Sequence, residues 1–187
     1  MRETLINIHS IIPRSKVNGP GDRLVIFFQG CNKNCSGCFN PETHSFKKNK
    51  LITPKNLLNQ FLKSNIEGIT ISGGEPFAQP AGLKSLLKTA KENYNLSTLV
   101  YTGLNFKDLN EKIDSKQSFK YIDILIDGHF DNSKIENSLL ARGSYNQNIY
   151  FFTDRYKMND LYMPAKTEII IENDGTIKKT GFARLYF

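Results

Sequence analysis

The apolar positions of this chain gather into short unbroken runs separated by amphipathic stretches. Leu24-Val-Ile-Phe-Phe28 is apolar at every position and rich in β-branched and aromatic side chains. That pattern predicts a strand covered on both faces, as in a parallel sheet, rather than a half-exposed antiparallel one. Comparable runs at Gly68 to Ser72, Leu99 to Thr102 and Ile122 to Asp127 read as further strands. Between them the apolar period lengthens to that of a helix. Thr53-Pro54 is an N-cap and first-turn pair, and Leu57, Leu58, Phe61 and Leu62 then fall on one helical stripe. Leu83, Leu86, Leu87 and Ala90 form a second stripe. A weaker helix is expected over Phe106 to Ile113, with Leu109 and Ile113 facing inward. Towards the end of the chain, Thr167 to Ile171 and Thr176 to Thr180 flank Asp174-Gly175, a hairpin signal.

Strands alternating with helices imply right-handed βαβ crossovers, hence an α/β fold with an open or partly closed parallel barrel. A complete eight-unit barrel takes roughly 250 residues. At 187 residues this one is expected to be truncated, with the hairpin as a small C-terminal addition. The length suits a single domain over 1–187 that buries a continuous core without disulfides. The polar stretches Asn40 to Lys50 and Gly128 to Gln147 read as long loops, which in compact domains are often functional.

Charge and composition narrow the class. Lys and Arg total 25 against 18 Asp and Glu, a net charge of +7, and 39% of residues are hydrophobic, with 13 Phe and 8 Tyr. No apolar run approaches the roughly 20 residues of a membrane span. Glu3 and Asn7 stand where a secretory leader would be basic and then apolar, so a cytoplasmic protein is expected. The lysines are scattered along amphipathic helices, where solvated faces explain them, and nucleic acid is not an expected partner.

All three cysteines, Cys31, Cys35 and Cys38, fall within eight residues directly after the first buried strand. Such spacing is no disulfide framework. Three thiolates can hold three irons of a 4Fe-4S cluster and leave the fourth open to an exogenous ligand. With His44 they would instead make a Cys3His zinc set, the reading that a nucleic-acid-binding module would need. His9 and His129 are expected to be non-ligands. Gly73-Gly74-Glu75-Pro76 follows the next strand, and glycines there let the backbone approach a ligand closely.

With the cysteine loop and this second loop in hand, the chain resembles the radical S-adenosylmethionine (SAM) superfamily. Within it the likeness is to the small activating proteins of anaerobic ribonucleotide reductase. Asn18-Gly-Pro-Gly-Asp-Arg23, Cys35-Ser-Gly-Cys-Phe-Asn40, Ser72-Gly-Gly-Glu-Pro76, Tyr101-Thr-Gly103, Ile126-Asp-Gly-His-Phe130 and Arg142-Gly-Ser-Tyr-Asn-Gln147 look like that family's blocks, in order. The resemblance implies a radical SAM core over about 17–152 and an extension over about 153–187. It implies a 4Fe-4S cluster on Cys31, Cys35 and Cys38, with SAM chelating the open iron. SAM would be held by Phe39, Gly73, Gly74, Glu75, Thr102, Asp127 and Arg142. Asp127 is also a candidate for holding a monovalent cation beside SAM, as in the related pyruvate formate-lyase activases, with a helix cap or turn role as its structural counterpart. Arg142 and Asn146 have a loop-stitching role as theirs.

The implied activity is reductive cleavage of SAM and formation of a glycyl radical on a large partner enzyme. The implied electron donor is acidic, such as a flavodoxin, docking near Lys33, Lys47, Lys48 and Lys50. The alternative within the superfamily is an enzyme acting on a small molecule or peptide, for example a deazapurine-forming synthase. Two departures stand out. Gly37 precedes the last cysteine where most members carry an aromatic residue, and the tail beyond Phe152 is longer than in the compact activases.

Overall fold

The computed structural model describes residues 4–182; Glu3 and the end of the expected extension, 183–187, lie outside the described residues. The elements run β1 (Ile6–Ser15), β2 (Arg23–Phe28), β3 (Lys50–Ile52), α1 (Pro54–Phe61), β4 (Gly68–Gly73), α2 (Pro80–Tyr94) and β5 (Ser97–Tyr101). They continue through α3 (Phe106–Glu111), α4 (Ile113–Phe119), β6 (Ile124–Asp127), β7 (Asn148–Phe151), β8 (Thr167–Ile171) and β9 (Ile177–Gly181). Seven strands form one sheet in the order β3-β1-β2-β4-β5-β6-β7. Its centre, β2-β4-β5-β6, is parallel, and β1, β3 and β7 flank it antiparallel. The fold is thus mixed α/β with a parallel-rich sheet.

Local chemistry sets most of these boundaries. The Thr53 hydroxyl accepts the amide of Asn56 at 3.3 Å and Pro54 fills the first turn, so α1 begins where the sequence predicts. α2 ends where Asn95 enters the left-handed region at φ 51° and its amide reaches back to Ala90 and Lys91. The weak third helix is corrected. Lys112 is extended, so α3 stops at Glu111 and α4 starts afresh at Ile113. The break resets the helical phase: Leu109 is buried as expected, whereas Ile113 points to solvent at 75% exposure.

Strands β2, β5 and β6 each serve two apolar layers, whereas β4 turns Thr70 towards the buried Arg23. Leu24, Ile26 and Phe28 of β2, Ile69 and Ile71 of β4, Val100 of β5 and Leu125 of β6 face the helices and pack with Leu57, Leu83, Leu86 and Leu87. The alternate positions face the other way. Leu99, Ile124 and Ile126 meet Leu140, Leu161 and Met163, while Val25 and Phe27 meet Ile12 and Ile170. The inner face is therefore covered by residues beyond Gly128, including the hairpin β8-β9, whose register pairs Ile171 with Ile177 and Thr167 with Gly181.

β1 was not foreseen, and its pairing shows why. Its register with β2 slips between Ile8 and Ser10, so Ile6 and Ile8 join the helix-side core while Ile12 joins the inner face. A bulge of this kind breaks the period-two signal that marks a strand in sequence. Beneath the inner apolar layer lies a polar floor built on Arg23, which is fully buried. Its guanidinium donates to Thr70 Oγ1 at 2.6 Å, to the Pro20 carbonyl and Ser97 Oγ at 3.0 Å each, and to the Ile69 carbonyl. Burial lowers its pKa from the ordinary arginine value, and these acceptors are what make the buried group tolerable.

Candidate cofactor site

The parallel strands end on one side of the sheet, and a pocket opens there between the loop after β2, the loop after β4, the end of β5 and the end of β9. In parallel α/β sheets this carboxyl-terminal edge is where ligand-binding loops converge.

The cysteine loop is closed on itself by backbone bonds from Gly30 N to the Thr43 carbonyl, 2.7 Å, and from Cys31 N to the His44 carbonyl, 3.0 Å. Inside it, Cys38 N donates to the Cys35 carbonyl at 3.1 Å and Gly37 sits at φ 68°, a left-handed turn. That turn accounts for a glycine at the position where the resemblance leads one to expect an aromatic ring. Cys31, Cys35 and Cys38 all line the pocket and are each half-buried. Burial pushes the Cys31 and Cys38 thiols up, although each accepts a backbone amide, from Lys33 and Asn40 respectively, at 3.4 Å. As free groups they are protonated; a metal would deprotonate them, and the same amides would then stabilise the thiolates.

Among the described residues, no three His, Cys, Asp or Glu side chains converge on a point where one ion could sit. His44 lines the same pocket as the thiols and accepts Cys31 N through its carbonyl. Three thiols sharing one pocket, in a chain with only three cysteines, suit a cluster that takes one thiolate per iron.

Opposite the thiols, the Gly73-Gly74-Glu75 segment is locked to the cysteine loop: Gly74 N donates to the Phe28 carbonyl and Glu75 N to the Gly30 carbonyl, both at 2.8 Å. A Cβ on Gly73 would collide with Phe28 N, and one on Gly74 would collide with the Gly30 carbonyl oxygen. Close backbone approach alone thus demands both glycines. Glu75 is buried and accepts from Phe77 N at 3.0 Å, Thr102 Oγ1 at 2.8 Å and Gly103 N at 2.9 Å. Burial raises its pKa against the lowering effect of those bonds. Glu75 and Thr102 therefore clamp the ends of β4 and β5 together beneath the pocket.

The structure brings Cys31, Cys35, Cys38, Phe39, Gly73, Gly74, Glu75 and Thr102 to this pocket and leaves two expected residues out. Asp127 does not line it: its carboxylate accepts the Phe106 amide at the start of α3 and, at 2.9 Å, the Asn148 side chain. Arg142 does not line it either, because its guanidinium is paired with Glu136 at 2.7 Å and donates to the Gln147 carbonyl at 2.9 Å. Asn146 donates to the His129 carbonyl at 2.9 Å, a bond that ties the long loop to itself. Of the basic group, Lys33 lines the pocket and Lys47 and Lys48 are exposed, whereas Lys50 lies 4.5 Å above the Phe61 ring.

Sequence reasoning missed His129, whose Nδ1 lies 3.4 Å from Cys35 Sγ, and the aromatic wall of Tyr101, Phe130 and Phe182. Tyr101 ends β5, His129 and Phe130 lie just after β6 and Phe182 follows β9, so only the fold brings them together.

Comparison with known proteins now bears on this geometry. A family described as a 4Fe-4S single cluster domain matches residues 17–150. The anaerobic ribonucleoside-triphosphate reductase-activating protein of Pasteurella multocida is 35% identical over 157 residues, 79% of this chain and 99% of its own length. Its namesake from Enterobacteria phage T4 is 32% identical over 155 residues, 80% of this chain and 96% of its own. The pyruvate formate-lyase-activating enzyme of Clostridium pasteurianum is 43% identical over 110 residues, covering 56% of this chain and 46% of that enzyme. With the family match spanning both the thiol loop and the Gly73-Gly74-Glu75 loop that closes on it, the chain belongs to the 4Fe-4S single cluster domain family.

Proposed function

We propose that this protein is a radical SAM activase that generates a glycyl radical on a partner enzyme, anaerobic ribonucleotide reductase being the partner its relatives are named for. The observation that carries the reading is the pocket itself: three thiols and no fourth cysteine face a glycine segment whose amides are already spent on the thiol loop. Cys31, Cys35 and Cys38 would hold a 4Fe-4S cluster. The amides of Gly74 and Glu75 being paired, the segment has carbonyl oxygens to offer, which suits the donating amino group of a bound methionine moiety. When bound, the cluster and SAM would supply one-electron cleavage of the sulfonium to methionine and a 5′-deoxyadenosyl radical, which takes a hydrogen from a glycine Cα.

The chain's own residues then have three roles. Lys33 N and Asn40 N steady two of the sulfurs. Glu75, bonded to Thr102 and Gly103, fixes the spacing of the two loops. Phe39 and Phe130, with ring centroids 4.8 Å apart, exclude water from one wall.

We read the sheet as a partial barrel in one domain, with the core over about 17–152 and the extension from about 153 packed into its concave side. A monovalent cation at Asp127 has no support in a carboxylate already bonded to Phe106 and Asn148. The exposed Lys47 and Lys48 beside the thiol loop support docking of an acidic donor of the flavodoxin kind. No helix among the described residues is long and apolar enough to cross a membrane.

A second reading, turnover of a small molecule or peptide, is favoured by one observation: the chain supplies part of the pocket wall itself, through Lys179 to Phe182. One experiment separates them. Protein reconstituted anaerobically with iron and sulfide, given dithionite and SAM, should form 5′-deoxyadenosine. Adding the cognate anaerobic ribonucleotide reductase should produce a glycine-centred doublet in that enzyme's EPR spectrum. Stoichiometric turnover of a small molecule with no doublet would establish the second reading instead.

A further inference from the structure

The family match ends at residue 150, and about a fifth of this chain has no counterpart in relatives that align over nearly their whole length. The segment beyond that match is built into the site. Hairpin β8-β9 is fastened to the core by Glu168, which accepts from Ser15 Oγ at 2.5 Å and Lys16 N at 3.0 Å. A second tether runs from the Asn18 side-chain amide to Thr180 Oγ1 at 2.7 Å, in a buried contact. At the end of β9, Gly181 takes φ 105°, and a Cβ there would collide with the Lys166 carbonyl oxygen. Only glycine makes that turn, and the turn delivers Phe182 to the pocket. The Phe182 ring stands 5.9 Å from Phe39, edge to face at 89°, and 5.8 Å from Tyr101.

The wall so formed is apolar towards the pocket. The Tyr101 hydroxyl is satisfied by the Ala141 carbonyl at 2.9 Å, and Phe39 also packs on Phe130. Aromatic carbon therefore lines one part of the same pocket whose other part is thiols and backbone carbonyls. A ligand that uses both sides needs a polar, chelating end and a planar aromatic end.

We propose that Phe182 is a binding residue of this pocket, held in place by the hairpin, and that with Phe39 it receives the purine ring of the adenosyl ligand. The proposal rests on the SAM-binding reading above and adds a contact from a segment beyond the family match. The hairpin thereby becomes a wall that positions an aromatic side chain from the far end of the chain.

The test is equilibrium binding of SAM, 5′-deoxyadenosine and methionine, each by itself, to full-length reconstituted protein carrying Phe182, Phe182→Ala or Phe182→Tyr. The alanine variant should bind SAM and 5′-deoxyadenosine about fivefold to tenfold more weakly, the range expected for one lost aromatic face. Its methionine binding, iron content and melting temperature should be unchanged, and the tyrosine variant should match the parent. Equal weakening of methionine, or SAM binding as tight as the parent's, overturns the proposal while leaving the function intact. If the parent protein binds no SAM, the functional reading fails and the proposal with it. Should the alanine variant unfold, Phe182→Leu keeps the apolar packing and removes the flat face, and the same outcomes apply to it.

Discussion

The two faces of the sheet are made of the same strands and assembled by different means. On the outer face, helices α1 and α2 lay continuous Leu stripes on Leu24, Ile26, Ile69 and Ile71. On the inner face, Leu99, Ile124 and Ile126 are covered by a loop and a tail with no helical period at all, through Leu140, Leu161 and Met163. The outer layer is the larger one; the inner layer shares its space with Arg23 and the thiol pocket. A layer packed from local, regular elements carries stability, and a layer packed from long-range irregular segments leaves room for chemistry.

The largest effect that separates them belongs to the inner side. Replacing any one of Cys31, Cys35 or Cys38 by alanine should abolish cluster uptake, measured as iron content after reconstitution, and hardly change the melting of the helix-covered layer. The analogous His44→Ala should keep its iron, since His44 is tied in through its carbonyl.

Next in size is the outer core. Leu86→Ala, at a fully buried position, should cost about 2 to 5 kcal/mol in urea unfolding. The matching truncation on the hairpin, Ile170→Ala, removes a side chain only partly buried and should cost about 1 kcal/mol. Equal losses would show that the tail is as much a part of the folding core as the helices are.

Gly74→Val joins the two layers. Its Cβ would collide with the Gly30 carbonyl oxygen, so the loops after β2 and β4 must part. SAM affinity, taken per bound cluster, should drop at least tenfold; unaltered affinity would reduce the segment to an ordinary turn.

A smaller effect is titratable. Burial pushes the Asp123 carboxyl up, but Lys91 at 2.6 Å, Thr153 and the Thr98 amide pull it further down, and its net pKa is lowered. A lowered folded-state value means that the contribution is complete above the unfolded carboxyl range and is lost as pH falls through the folded value, below about pH 4. Unfolding free energy of the parent should therefore fall between pH 5 and pH 3 more steeply than that of Asp123→Asn, by about 1 to 3 kcal/mol. The smallest effect is expected of Lys47→Glu with Lys48→Glu: slower reduction by an acidic donor, strongest at low salt, with SAM affinity unmoved.

Much of this is legible in the sequence. An unbroken apolar run such as Leu24 to Phe28 dictates a strand with two covered faces, and Thr53-Pro54 dictates a helix start, because both signals depend only on neighbours in sequence. Three thiols within eight residues likewise confine metal chemistry to one loop. Tertiary structure decided the rest. β1 escaped the pattern because a bulge shifts its pleat, and Ile113 faced solvent because an extended Lys112 resets the helix. Asp127 and Arg142 sit in blocks that look like binding motifs, yet Phe106, Asn148, Glu136 and Gln147, at positions no local rule connects, claim their polar atoms. Phe182 reaches Phe39 across more than 140 residues of chain, and only the folding of the tail onto the inner face makes them neighbours. Sequence determines what each segment can do by itself; which side chains meet in the pocket depends on long-range closure, whose geometry no local period records.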